Sequence, residues 1–285
     1  MAARWAHNPK VGGSNPPPAT RLTAVPSWSR RLFVPAPASI TARASLFVKD
    51  LLFPPRCSGC GERGVWLCER CILSVPAFED VANRCARCGV PVVAGRCGCA
   101  GLHPRISSAS SALPYVGWVA EAVRGAKYEG ERDRAAFLGC VLAASRCGDV
   151  LRRSDVVVPV PMYRDRQGDR GYNQAELIAE SACRSLGIPV PRRILVQTSE
   201  RASQVGLSAS ARRTNVKGSF AISPDTGLRS GLRIVVVDDV RTTGATLTAS
   251  VDALRQLRPA RVDVVTVAAE LPVAAVVSMG LPGTQ

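Results

Sequence analysis

Ile234-Val-Val-Val-Asp-Asp-Val-Arg-Thr-Thr-Gly-Ala-Thr246 is the stretch that decides how this chain of 285 residues is read. Four β-branched residues, Ile234 to Val237, have the composition of a parallel strand buried on both faces. Asp238 and Asp239 stand where that strand is expected to stop. The loop Val240–Thr246 then leads into a helix whose apolar positions Leu247, Val251, Leu254 and Leu257 recur at helical spacing, and Pro259 ends it. A strand, a turn of small residues and a helix start make an anion cradle. Unpaired N–H groups and the positive end of the helix dipole point at one spot, and Thr242, Thr243 and Thr246 add hydroxyl donors. The absence of Gly-Lys-Ser/Thr excludes a nucleoside-triphosphate P-loop.

Two carboxylates beside such a cradle repel a bare phosphate. They suit a ligand that also carries neutral vicinal hydroxyls, usually with Mg²⁺ nearby, and a ribose 5-phosphate meets that description. The alternative is a strand end with a polar turn. The segment resembles the 5-phosphoribosyl-1-pyrophosphate (PRPP) signature of type I phosphoribosyltransferases. That resemblance implies an α/β fold, a parallel sheet flanked by helices. It implies Asp238 and Asp239 at the ribose hydroxyls and Mg²⁺, and Arg241, Thr242, Thr243, Gly244, Ala245 and Thr246 around the 5-phosphate.

Upstream, Asp155–Pro161 reads as another buried strand, followed by the loop Met162–Gly171 and a helix from about Asn173 to Leu186. The loop sets Arg164, Arg166 and Arg170 against Asp165 and Asp169. In the resembled family this loop grips pyrophosphate, and arginines hold phosphate oxygens in bidentate fashion; a charged surface turn is the plainer reading. Residues 198–220 are too long for an ordinary connection. They carry Arg201, Gln204, Arg212 and Asn215 and lie where that family has a hood over the active site; a disordered connection is the alternative. Val262–Val267 is a further β-run, placed as a β-α-β crossover requires. The charged, glycine-flanked segment Gly125–Gly130 has a chemistry that residue type and spacing do not disclose.

Eight of the eleven cysteines fall into four close pairs: Cys57-x2-Cys60, Cys68-x2-Cys71, Cys85-x2-Cys88 and Cys97-x-Cys99. Each pair can form a knuckle that presents two sulfurs to one tetrahedral ion. The pattern predicts two structural Zn²⁺ sites, Cys57, Cys60, Cys68 and Cys71 at one and Cys85, Cys88, Cys97 and Cys99 at the other. A cross-braced pairing is the alternative, and His103 lies close to the tighter Cys97-x-Cys99 pair. A thioredoxin-like dithiol has no use for four pairs. Cys140, Cys147 and Cys183 fall in apolar helical contexts and read as core residues.

Hydrophobic residues make up 46% of the chain, enough to build one large or two modest cores. The formal net charge is +15, but seven basic and no acidic residues lie in 1–49. Eight thiolates on two Zn²⁺ would lower the remainder further, so bulk charge permits polyanion binding without requiring it. Only four of the 37 basic residues are lysine, a bias that fits genome composition. There is no apolar signal region and no run of 18 apolar residues, so neither export nor a membrane span is expected. Paired cysteines without export point to metal in a reducing, cytoplasmic setting.

The proline-rich leader 1–45 is expected to be disordered. Its Gly13-Ser14-Asn15-Pro16 is the translation of a nucleotide string typical of a transfer-RNA T-arm, which places the expected native start nearer residue 40; an ordinary basic tail is the alternative. A short helical stretch is expected at 45–53. The domains are then a double zinc ribbon over 46–104, a phosphoribosyltransferase-like domain over 113–271 and a tail over 272–285.

Taken in order, Leu51-Leu-Phe-Pro54, the cysteine pairs, Ala126-Lys127-Tyr128-Glu129-Gly130, Pro159-Val-Pro161, Arg170-Gly-Tyr-Asn-Gln174, Arg201-x2-Gln204-x2-Leu207, Arg212, Asn215 and the PRPP segment resemble the ComF family, which is linked to DNA uptake in competent bacteria. The resemblance covers roughly 46–270. Tyr172 and Ala211 depart from the family's usual phenylalanine and acidic residue. It implies a domain that binds PRPP or a related phosphoribosyl ligand with Mg²⁺, and a zinc ribbon that docks single-stranded DNA or a DNA-uptake protein. The alternatives are a salvage phosphoribosyltransferase using a free base, and a non-catalytic competence factor. No general base is visible.

Overall fold

The computed structural model describes residues 54–281 except 82, 94, 96, 98, 100, 101, 129, 130, 163–170, 199–218 and 225, together with Ser29. Its strands are β1 (Ser108–Pro114), β2 (Val156–Pro159), β3 (Leu195–Gln197), β4 (Phe220–Ile222), β5 (Arg233–Arg241) and β6 (Arg261–Ala269). The helices are α1 (Glu69–Ile72), α2 (Gly117–Tyr128), α3 (Arg132–Ala144), α4 (Arg146–Arg152), α5 (Gln174–Leu186), α6 (Ala245–Leu254) and α7 (Val273–Ser278). β1, β6, β5 and β2 lie side by side in that order, all parallel, while β3 and β4 form a separate antiparallel ribbon. The fold is the expected α/β class: a parallel sheet flanked by helices, preceded by a cysteine-rich module.

Strand β5 shows why the apolar run is needed. Ile234, Val235, Val236 and Val237 are each at most 1% exposed, so both faces of the sheet are covered. Side chains alternate along a strand. Val235 and Val237 therefore join Val119, Leu138, Leu151 and Ile178 of helices α2 to α5. Ile234 and Val236 join Leu247, Val251 and Leu254 of α6 and Leu195 and Phe220 of the ribbon. Each such aliphatic side chain contributes about 1.5–3 kcal/mol by burial. The helical layer is tight: a Cβ on Gly139 of α3 would lie 2.4 Å from the Ile178 carbonyl oxygen of α5.

The two halves of the cysteine region take opposite faces. Cys57, Leu67 and Cys71 belong to the core under α2 and α3. Cys88, Val90 and Leu102 belong to the core under α6. β1 begins at Ser108, before the expected boundary at 113, and α7 forms inside the expected tail. The leader 1–45 lies outside the described residues save Ser29, and the expected helical stretch at 45–53 lies outside them entirely. Cys140, Cys147 and Cys183 are buried as expected. Burial pushes the Cys147 thiol up to about 12 and the Cys183 thiol to about 11, so both stay protonated.

Candidate functional site

The carboxyl ends of parallel strands are where open α/β sheets bind ligands, and here the acidic pair lies at that end of β5. The strand does not stop after Val237. It continues through Asp238 and Asp239 to Arg241, because β6 pairs with it as far as Arg241 opposite Ala269. Backbone pairing to a buried neighbour overrides the poor strand preference of the carboxylates. The expected loop Val240–Thr246 shrinks to the turn Thr242–Gly244, and α6 starts at Ala245. Gly244 caps it at φ +76°, a left-handed conformation that glycine adopts without strain, and its carbonyl accepts from the Thr248 N–H at 2.9 Å. Thr242 is exposed, and Thr243, Ala245 and Thr246 are half-buried around the helix start.

The two carboxylates differ. Asp238 is half-buried, and its Oδ1 accepts from the Asp239 N–H at 2.9 Å. Asp239 is 4% exposed. One of its oxygens meets Lys127 Nζ at 3.1 Å and accepts from Gln174 Nε2 at 3.0 Å, and the other accepts from the Val240 N–H at 2.6 Å. Both acids expected at the ribose hydroxyls thus lie at this strand end, Asp238 half-buried and Asp239 buried and held by a lysine and an amide. Burial works against the Lys127 ammonium, but Asp239 and then Asp238 more than offset it and hold its pKa above the ordinary lysine range.

Local sequence explains how these partners arrive. Asn173 caps α5, its side chain accepting from the Ala175 N–H at 3.0 Å and donating to the Val160 carbonyl at 2.9 Å. That ties the helix start to the end of β2 and aims Gln174 at Asp239. The Tyr172 hydroxyl donates to the Ala126 carbonyl at 2.6 Å, so the residue before the cap fixes the end of α2, where Lys127 sits. The Arg241 side chain does not join the phosphate turn. It is 4% exposed and its Nη2 donates to the Cys88 carbonyl at 3.2 Å, on the α6 face of the sheet. Arg164, Arg166 and Arg170, and Arg201, Gln204, Arg212 and Asn215, lie outside the described residues. The β3–β4 ribbon brackets the second of these segments.

The cysteine pairs close into two separate clusters. Sulfurs of Cys57, Cys60, Cys68 and Cys71 all lie within 4.8 Å of one another, and so do those of Cys85, Cys88, Cys97 and Cys99. This is the sequential pairing, not the cross-braced one. Cys60 and Cys68 sulfurs are 3.6 Å apart, and those of Cys85 and Cys99 are 3.4 Å apart. A tetrahedral Zn²⁺ with bonds of about 2.3 Å sets sulfurs about 3.8 Å apart, so each cluster fits such an ion. Both first knuckles are built alike, with the Gly61 N–H on the Cys57 carbonyl and the Gly89 N–H on the Cys85 carbonyl, each at 2.9 Å. The Glu62 N–H and the Arg70 side chain lower the Cys60 thiol to about 6. Burial raises the Cys85 thiol, but the N–H groups of Cys88 and Arg87 outweigh it and bring it to about 6. In each cluster burial holds two other thiols up, Cys68 and Cys71 in the first and Cys88 and Cys99 in the second. Metal binding displaces their protons, since thiolate is the form that ligates. His103 is engaged elsewhere: Nδ1 accepts from the Arg105 N–H and Nε2 meets Asp252, both at 3.1 Å.

Residues 173–274 match the phosphoribosyl transferase domain family, a span that holds α5, β5, α6 and β6. Competence protein F of Haemophilus influenzae is 39% identical over 107 residues, which are 38% of this chain and 47% of that protein. DNA utilization protein YhgH of Salmonella typhimurium is 28% identical over 198 residues, 64% of this chain and 86% of that protein. Competence protein ComFC of Bacillus subtilis is 30% identical over 92 residues, 32% of this chain and 35% of that protein. The chain carries a phosphoribosyl transferase domain and is similar to proteins named for competence and DNA utilization. Its match thus spans about half the length of competence protein F and most of YhgH.

Two residues at this strand end have contacts that residue types alone did not disclose: Lys127 and Gln174, both on Asp239. The signal was present, since both fall in the spaced motifs that carry the ComF resemblance. A lysine near a helix end and a glutamine at a helix start are ordinary surface residues until the fold brings them to one carboxylate. Among the described residues, no helix is long and apolar enough to cross a membrane.

Proposed function

We propose that the carboxyl end of β5 binds PRPP or a ribose 5-phosphate ligand with Mg²⁺, and that each cysteine cluster holds a structural Zn²⁺. The observation that carries the ligand reading is the pairing of one accessible acid, Asp238, with an exposed hydroxyl turn at the start of α6. Asp238 accepts from the ribose diol and shares Mg²⁺, while Thr242, Thr243 and Thr246 and the first turn of α6 take the 5-phosphate. Lys127 and Gln174 hold the Asp239 side chain in place behind Asp238. Where turnover occurs, it displaces pyrophosphate at the anomeric carbon, and the protein contributes position and charge stabilisation. Arg164, Arg166 and Arg170 are proposed for the leaving pyrophosphate and the 199–218 segment for the hood. Four sulfurs per cluster leave no open coordination position, which suits a stabilising rather than a catalytic metal.

A non-catalytic role in DNA uptake, with single-stranded DNA or an uptake protein as partner, is the second reading. It is favoured by relatives named for competence and DNA utilization. The two separate in a thermal-unfolding titration. Ligand at a hundred times Kd stabilises by about 2.7 kcal/mol, or about 5–10 °C at this size. PRPP with Mg²⁺ is expected to give such a rise in the wild type and none in Asp238→Asn. No shift at millimolar PRPP, or one that survives the substitution unchanged, overturns the ligand reading.

A further inference from the structure

The second cysteine cluster is fastened to the phosphate turn by contacts from three segments. Arg241, the last residue of β5, reaches across to the Cys88 carbonyl at 3.2 Å. Leu102 lies over Gly244, where an added Cβ would come within 3.1 Å of its Cδ2. His103 Nε2 meets Asp252 Oδ1 of α6 at 3.1 Å. The strand end, the turn and the helix that together carry Thr242–Thr246 are each touched by the second half of the cysteine module, through Cys88, Leu102 and His103. The first cluster's neighbours lie elsewhere: Gly59 packs against Trp118 of α2, and Ser58 accepts from Arg134 of α3 at 2.6 Å.

Charge gives Arg241 its purpose. Four thiolates on one divalent cation keep a net charge of −2, and Cys88 is fully buried. Such a charge is costly in an apolar surrounding unless a cation sits beside it. Arg241 is buried there, while the rest of the strand end is occupied by carboxylates that would repel the cluster.

We infer that the second cysteine cluster, loaded with metal, is the prop that holds the phosphate-binding turn in place, with Arg241 as the positioning residue between them. Order in Thr242–Thr248 therefore depends on metal at Cys85, Cys88, Cys97 and Cys99, and not on metal at the first cluster. The dependence of ligand affinity on that metal rests on the function proposed above; the coupling of metal to turn does not.

The test uses the full zinc-loaded chain and four variants: Cys97→Ser/Cys99→Ser, Cys57→Ser/Cys60→Ser, Arg241→Met and Arg241→Lys. Amide hydrogen exchange over 242–248 reads the turn directly, zinc transfer to a chelator reads the cluster, and ribose 5-phosphate with Mg²⁺ is the calorimetric probe. Breaking the second cluster is expected to speed exchange in the turn at least about tenfold, while breaking the first leaves it within about twofold. Arg241→Met is expected to weaken retention of one of the two zinc ions by about 10–100-fold and to speed turn exchange, with Arg241→Lys between it and the wild type. Stripping zinc from the wild type stepwise reads the same coupling if a variant does not fold. Unchanged turn exchange after loss of the second zinc overturns the inference, as does equal acceleration when only the first cluster is broken. Wild type that shows the coupling but takes no ribose 5-phosphate sinks the proposed ligand and keeps the prop. Equal ribose 5-phosphate affinity with the second cluster intact or broken keeps the ligand and overturns the dependence of its binding on that metal.

Discussion

The first cysteine module rests on helices α2 and α3, and the second rests on the strand, turn and helix at the end of β5. Each has a buried arginine from the sheet-bearing part of the chain at its edge. Arg134, 7% exposed, stacks over Trp66 at 5.4 Å, bonds Ser58 and pairs with Glu131 one turn earlier. Arg241, 4% exposed, donates to Cys88, and the charges that act on it most are the sulfurs of Cys88, Cys99 and Cys85. Arg134 thus meets a carboxylate and an aromatic face, whereas Arg241 faces the cluster itself. The same local device serves a docking contact in one place and the ligand-bearing turn in the other.

Replacing each arginine by methionine sharpens that contrast. Arg241→Met leaves the buried cluster without its cation and is expected to cost about 3–5 kcal/mol, the range for breaking a buried charge pair. Arg134→Met leaves Glu131, which is 32% exposed at its side chain and can rehydrate, so about 1–3 kcal/mol is expected. Chemical denaturation of both variants measures this, and an equal or reversed order breaks the comparison.

Lys127 gives the next effect, on the site rather than the modules. Its folded pKa lies above its ordinary value of 10.5. Its contribution to stability is therefore complete below about pH 10 and is lost as pH rises through the folded value. The stability gap between wild type and Lys127→Met should be flat from pH 7 to 10 and shrink above that in urea unfolding. A gap that stays unchanged as pH rises well past the ordinary lysine value would mean that Asp239 does not hold Lys127 as a cation in the folded protein.

Gly244→Ala should be smaller still. The left-handed φ of +76° costs an alanine about 1–2 kcal/mol, and Leu102 must move aside. A modest fall in melting temperature is expected with a larger rise in amide exchange at Thr242–Thr248 than elsewhere. Uniform loosening would remove the special tie between Leu102 and the turn.

Much of this was legible in residue types. Ile234–Val237 read as a doubly covered strand, and spacing grouped Cys57 to Cys99 into pairs while leaving open how the pairs combine. What stayed hidden depends on tertiary partners. β1, Ser-Ala-Ser-Ser-Ala-Leu-Pro, has little strand character of its own and is a strand because β6 lies beside it. Asp238 to Arg241 continue β5 for the same reason. Arg241 was expected around the 5-phosphate, but its side chain bonds Cys88 on the α6 face, where strict alternation from Val235 and Val237 would not have sent it. Lys127 was not assignable because its partner lies far along the sequence, past three helices and three strands.

The most direct measurement is a crystal structure of the complex with PRPP and Mg²⁺. The account predicts the 5-phosphate over Thr242–Thr246, the ribose diol on the Asp238 carboxylate and Lys127 still on Asp239. A phosphoribosyl ligand bound anywhere else, with Asp238 untouched and the turn empty, would contradict it.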